Sequence, residues 1–273
     1  QSIAVTHAVR VFDAFENPVP NVQVNLALTP RGSPEVLFQT TATSDQDGRV
    51  LLSALGATQN AGAFDVRATI VEPAGITPVV IAVDVVAGGV ASMTFATQPP
   101  TAQAGAPFTV AVSVRDAQGN VATGFSGPVT IALGNNPTQA TLGGTLTRNA
   151  VAGVATFDDL SISVAATGYT LSATADGLTT VTSVAFSVDP AAVAALAFTA
   201  HPSTVATGGN FVVSVAARDA FSNTVPGFTG TVTMALGNNP TQALLSRTQT
   251  ANAVAGVAVF PDLGINLPGT GYT

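Results

Sequence analysis

Large apolar residues alternate with small or polar ones in short runs along most of the chain. Phe108-Thr109-Val110-Ala111-Val112-Ser113-Val114 keeps a period of two, and Phe211-Val212-Val213-Ser214-Val215-Ala216-Ala217 repeats the pattern further on. That period places one set of side chains in a core and the other toward solvent, which predicts strands. Val129 to Leu133, Val154 to Phe157, Tyr169 to Ala173 and Val184 to Val188 read the same way. Turn-forming groups separate them at about 8 to 12 residue intervals. Among these are Asp116-Ala117-Gln118-Gly119-Asn120, Gly134-Asn135-Asn136-Pro137 and Asp176-Gly177. No stretch sustains a helical period. Phe12, Phe157, Phe186 and Phe260 fall at alternating strand positions and are expected in cores.

The pattern also repeats as a whole, at an offset of 103 residues. Arg115-Asp116 returns as Arg218-Asp219, and Asn120 as Asn223. The run from Ala132 to Ala140 returns unchanged from Ala235 to Ala243, and Gly168-Tyr169-Thr170 as Gly271-Tyr272-Thr273. A period this long fits a small domain rather than a solenoid unit of roughly 20 to 50 residues. About seven short strands per repeat is the signature of an immunoglobulin-like β-sandwich. The expected fold class is therefore all-β, with tandem immunoglobulin-like sandwiches in an extended rod. The first stretch is a divergent copy, with Asp13 and Asn17 in the places of Asp116 and Asn120. Domains are expected at 1–88, 89–190 and 191–273. The junctions at Val85 to Val90 and Val188 to Val193 are short and apolar, which predicts limited flexing. The first domain is expected to lack its first strand and the third its last. Two explanations stay open: a window cut from a longer array, or a missing strand donated by a neighbouring chain.

Composition narrows the function. Charged residues are 8% of the chain, against roughly 25% in an ordinary soluble domain. The formal net charge is −7, and all 8 basic residues are scattered arginines. With no basic patch, neither nucleic acid nor an anionic membrane surface is an expected partner. There is no uninterrupted apolar run of about 18 residues, so no membrane insertion is expected from this segment. The chain has no cysteine, which excludes disulfides and thiolate metal sites. With no lysine, isopeptide crosslinks through that residue are excluded too.

Candidate chemistry is sparse. Asp13, Asp116 and Asp219 open equivalent turns. With Asn17, Asn120 and Asn223 they are weak Ca²⁺ candidates, against the plainer reading of Asx turns. Asp45-Gln46-Asp47-Gly48 has the start of a calcium loop without its downstream Glu, and reads as a turn. Asp158-Asp159 reads as a polar loop. Asn135, Asn136 and Thr138, with their counterparts Asn238, Asn239 and Thr241, form a loop that is either displayed for a ligand or is an undiversified turn. Tyr169 and Tyr272 are expected as core or corner tyrosines whose hydroxyls return to the backbone. His7 and His201 lie in unrelated places, so no zinc site or acid–base pair is expected, nor is a serine triad or phosphate loop. No catalytic residues and no cofactor are expected.

The stretch Arg10 to Val24, followed by Thr43 to Val50, resembles the bacterial immunoglobulin-like domains of invasin and intimin type. Those domains carry a strand–turn–strand of pattern V-x-D-x-x-G-N-P-V-x-G-V-x-V and a later T-D-x-x-G turn. Here Glu16 stands where the glycine falls, which leaves room for a different turn. The resemblance implies display at a bacterial cell surface, as a non-catalytic stalk or adhesive fibre. A protein or glycan surface, or copies of itself, would then be its partner. Two alternatives remain: a self-assembling filament or sheath subunit using strand exchange, and an accessory module of a secreted carbohydrate-active enzyme. The latter needs an aromatic platform, and the chain has no Trp and only two Tyr.

Overall fold

The computed structural model describes residues 7–52, 60–72 and 75–273. Its secondary structure is β throughout, and no helix among the described residues is long and apolar enough to cross a membrane. Alternation drives each strand, and three separate apolar clusters gather the inward faces.

The first unit pairs β1 (Ala8–Arg10) with β4 (Arg49–Leu51). Opposite lies a four-stranded sheet made of β2 (Gln23–Pro30), β3 (Phe38–Thr43), β5 (Gly62–Ile70) and β6 (Val79–Val85), in the order β3-β2-β5-β6. Val24, Leu26 and Leu28 of β2 alternate into the core and meet Phe64 and Val66 of β5.

The middle unit carries the fullest sandwich. One sheet holds β7 (Val90–Thr97), β9 (Phe108–Asp116) and β12 (Val154–Leu160) in the order β12-β9-β7. The other holds β10 (Pro128–Leu133), β11 (Thr147–Asn149), β14 (Leu171–Thr174) and β15 (Val181–Thr182), ordered β11-β10-β14-β15. β13 (Ala166–Tyr169) lies just before β14 and pairs with β16 (Phe186–Asp189). β16 in turn runs parallel to β8 (Ala102–Gln103). The chain thus leaves the first sheet after β7 and joins the last strand of the other, as immunoglobulin-like sandwiches do. Val110, Val112 and Val114 of β9 face Val129 and Ile131 of β10, all at 0–1% exposure. Phe108 and Phe186 close one end, ring centroids 5.6 Å apart.

The third unit repeats this plan with β17 (Ala195–Ala200), β18 (Phe211–Arg218), β20 (Leu245–Ser246) and β22 (Val257–Ile265), ordered β17-β18-β22-β20. β19 (Thr231–Thr233) pairs with β21 (Thr250–Asn252). The side that Leu171, Ala173 and Phe186 cover in the middle unit is here an open apolar cleft of about 660 Å³, lined by Phe211, Val213, Met234 and Leu263 among others.

Phe157, Phe186 and Phe260 are buried as expected, but Phe12 is not: it is 48% exposed. Val11 takes the inward position at the end of this strand, so its neighbour must point out. The Arg10 guanidinium covers the Phe12 ring at 5.7 Å instead. Glu16 does not change the turn type either. It adopts φ 66°, the left-handed conformation shared by Gly119 at 87° and Ser222 at 69°. All three donate their N–H to the carbonyl of the turn's aspartate, at 3.1–3.2 Å.

Left-handed backbone costs a side chain about 1–2 kcal/mol, partly offset by the freedom glycine loses on folding. Ser222→Gly is therefore expected to raise stability by about 0.5–1 kcal/mol, read from the urea midpoint at constant slope. The reverse change, Gly119→Ala, should lower it by a similar amount, because no atom lies within 4 Å of the added Cβ and only backbone conformation is at stake.

Candidate functional site

The Asp–Asn turns at the ends of β9 and β18 bring together atoms from consecutive units. Within each turn the chemistry is local. Asp116 Oδ1 accepts the backbone N–H of Gln118 at 3.0 Å and of Asn120 at 2.8 Å. Its Oδ2 accepts the Asn120 amide at 2.9 Å. Asp219 makes the same bonds to Phe221, Asn223 and the Asn223 amide, at 2.8–2.9 Å. Arg115 and Arg218, one residue earlier, donate to the carbonyls of Gly119 and Ser222. These are Asx turns, favoured because a short carboxylate reaches the N–H groups two and four residues on.

Across each junction the turns reach further. Asp116 Oδ2 also accepts the N–H of Gly88 at 2.9 Å, and Asp219 Oδ2 that of Ala191 at 2.9 Å. Gly88 and Ala191 are junction residues. Asn120 Oδ1 accepts the N–H of Ala61 at 3.0 Å, and Asn223 Oδ1 that of Ala165 at 2.9 Å. Ala61 directly precedes β5 and Ala165 directly precedes β13, so both donors sit at the same place in the preceding unit. The Asn223 amide adds a bond to the Ser163 carbonyl at 2.8 Å. At this second junction Phe221 lays its ring tip over Gly105 of the preceding unit.

Burial follows. Asp116 and Asp219 are 3% and 4% exposed, while Asp13 in the first unit is exposed. Asp13 keeps the local bonds, to Phe15 at 2.8 Å and Asn17 at 2.9 Å. The Asn120 amide above all, with the N–H groups of Gly88, Asn120 and Gln118, lowers Asp116 from an ordinary 3.8 to about 2 against the cost of burial. Burial works hardest on Asp219, yet the Asn223 amide and the N–H groups of Ala191, Asn223 and Phe221 outweigh it and lower that group too. Asn17 lowers Asp13.

The remaining candidates are spread through the units. Asn135 donates to the Gly168 carbonyl, and its own N–H bonds Thr170 Oγ1 at 2.7 Å. Asn136 closes its loop by bonds to both backbone groups of Ala140. Thr138 meets the Tyr169 hydroxyl, which donates to Val164 at 2.9 Å. Asn238, Asn239, Thr241 and Tyr272 repeat these bonds with Gly271, Thr273, Ala243 and Leu267. Tyr169 is fully buried, with its hydroxyl tied five residues back. Asp45 is an Asx turn to Asp47 and Arg49. Asp158 and Asp159 are not in a loop: they lie in β12, at an irregularity of register, and pair with Arg148 at 2.7 and 3.3 Å. His7 and His201 are both exposed. Among the described residues no three His, Cys, Asp or Glu side chains gather where they could hold a metal.

Sequence reasoning singled out the three aspartates but not their distant partners. Those partners are main-chain N–H groups, which carry no residue signature. The one legible signal is that Gly88 and Ala191 share the 103-residue offset of Asp116 and Asp219.

No family model and no curated protein matches the chain. Among solved structures it is similar to invasin, described as a bacterial integrin-binding protein, at 16% identity over 96% of this chain and 52% of that one, TM-score 0.37. It is similar to the Escherichia coli adhesin FdeC at 19% identity over 93% and 81% of the two chains, TM-score 0.41. A β-glycosidase from Bacteroides vulgatus aligns at 12% identity over 67% of this chain, TM-score 0.35. The chain spans 52% of the invasin and 24% of the glycosidase.

Because its folded pKa is lowered, Asp116 stabilises the fold fully above about pH 4 and loses that contribution as pH falls toward 2. The urea midpoint should therefore fall between pH 4 and 2 more steeply in the native chain than in Asp116→Asn. Parallel curves for the two proteins would refute the assignment.

Proposed function

We propose that this chain is an extracellular structural module, a segment of a stalk or fibre on a bacterial surface built from immunoglobulin-like sandwiches. The observation that carries this reading is the repeated junction. At Asp116 and again at Asp219, one carboxylate accepts N–H groups from its own turn and from the junction just before it. The amide four residues on accepts from the preceding unit. Such a joint holds successive sandwiches in a fixed relation, which is what reach requires. The exterior suits the same role, since few charges leave little to attract ions or polyanions. The work is geometric rather than catalytic: spacing a binding surface, for protein, glycan or further copies, away from the cell.

A rod of three such units would extend on the order of 100 Å or more. Small-angle scattering should then give a radius of gyration near 30 Å, against about 19 Å for a compact chain of this length. Antibody labelling of intact cells should find the protein outside. A compact particle, or labelling only after lysis, would sink the proposal.

A further inference from the structure

The middle and third units share a core plan but differ consistently on one outer face. In β18, Val213 and Val215 point into the third unit's apolar cluster, so Val212, Ser214 and Ala216 point the other way. Register carries that outer face across the sheet. Val254, Val257, Ala216 and Ala197 stand in one row, and Val259, Ser214 and Ala200 in the next. Val254 is 77% exposed, Val212 52% and Val259 49%, while Ala216 is buried between its neighbours.

The middle unit holds the same rows in the same register: Val151, Val154, Ser113 and Thr94, then Thr156, Ala111 and Thr97. Along the 103-residue offset, Thr94 gives way to Ala197, Thr109 to Val212, Ser113 to Ala216, Thr156 to Val259 and Asp158 to Pro261. Arg148, the ion-pair partner of Asp158, gives way to Ala251. In the two rows only Ala111 changes the other way, to the half-buried Ser214. The third unit has thus exchanged hydroxyls and charge for bare hydrocarbon on a surface that water would otherwise keep polar. The ends of the chain do not create this face. On the middle unit, with a unit on either side, Thr109 and Thr156 are exposed at the same places.

We propose that this valine face of the third unit packs against the same face of a second copy, sheet on sheet. The inference rests on the comparison of the two units and not on the stalk reading above. The occupant follows from the chemistry of the face. It offers no charge and almost no hydrogen-bonding side chain, so it specifies no charged or polar partner. The nearest charge on β18 is Arg218, whose guanidinium is turned to the Ser222 carbonyl. A chain of net charge −7 therefore meets its twin here without like-charge repulsion at the contact. Flat apolar sheet faces pack on one another about 10 Å apart, which is how the interior of a sandwich is built. A two-fold axis gives each copy the same contact, so the product closes as a dimer. Three strands and three rows of residues make a face of roughly 300 Å². Two such faces bury about 600 Å², half of the roughly 1,200 Å² at which stable interfaces begin. The dimer is accordingly weak, and forms where the chain is concentrated.

Sedimentation equilibrium of the full chain over rising concentration tests this. The native chain should gain mass toward that of a dimer. Val212→Thr with Val259→Thr keeps the shape of the face but adds hydroxyls that contact would desolvate without partners. The middle unit already carries threonine at both places, so the fold accepts the change, and an unaltered urea midpoint would verify it. The double variant should associate at least about tenfold more weakly. A third protein, built on the double variant, gives the middle unit the third unit's residues through Thr94→Ala, Thr109→Val, Ser113→Ala, Thr156→Val and Asp158→Pro. Association should return, now through the middle unit. The open cleft beside Met234 is untouched by every one of these changes, so association through it would survive them all. A native chain that stays monomeric overturns the proposal, whatever else the face then binds. So does a double variant that associates as the native chain does, or a third protein that fails to regain association.

Discussion

A carboxylate that accepts N–H groups from two directions is the constraint on which the arrangement of this molecule depends. Asp116 and Asp219 each satisfy donors within a tight turn and one from the preceding junction. Burying such a charge without partners would cost far more than an ordinary hydrogen bond returns. The turn forms by itself, as at Asp13, and the junction N–H then supplies a further partner for the carboxylate where it is buried. A local turn preference becomes a link between units; the pKa of Asp116 is lowered chiefly by the Asn120 amide within the turn, and the Gly88 N–H across the junction adds to it. Asp13 shows the same turn without the buried environment, which separates the local part of the interaction from the long-range part.

The interior of each unit is held by simpler means. Valines on alternate positions of β9 meet β10 across the sandwich, and aromatic rings close its ends. Polar side chains in the recurrent Asn-Asn-Pro-Thr loops turn inward to backbone carbonyls and to the tyrosine hydroxyl. Among the described residues the ion pairs centre on Arg31 and Arg148, with a longer one between Arg49 and Asp47. Exposed pairs of this kind contribute little, typically below about 1 kcal/mol. Stability is carried by apolar burial and backbone ladders, consistent with a chain that has no cysteine to brace it.

Much of the fold was legible because alternation and repetition are both one-dimensional signals. The run Phe108 to Val114 announces β9, and Tyr169 was placeable as a corner residue from its Gly-Tyr-Thr setting. Phe12 misled because alternation was counted from the wrong residue: Val11, aligned with Val114, already fills the inward place. Asp158 and Asp159 looked like a loop because two adjacent acids break an apolar pattern, yet a register irregularity in β12 lets both face outward to Arg148. The inter-unit bonds left no trace in the sequence beyond the offset that Gly88 and Ala191 share with Asp116 and Asp219. Their acceptors are visible side chains, but Ala61, Ala165, Gly88 and Ala191 contribute only main-chain N–H groups, whose direction is set by folding.

That last property bears on how such a protein can change over generations. At Ala61, Gly88, Ala165 and Ala191 the joint asks only for a peptide N–H, so these positions tolerate nearly any amino acid, proline excepted, whereas Gly105 must stay bare beneath the Phe221 ring. Where the joint is made by these backbone groups, as at the Asp116 turn with Gln118 in the place of Phe221, a unit could be duplicated by recombination between near-identical stretches with little re-evolution of its fit. Length would become a freely variable trait, set by copy number rather than by compensating substitutions.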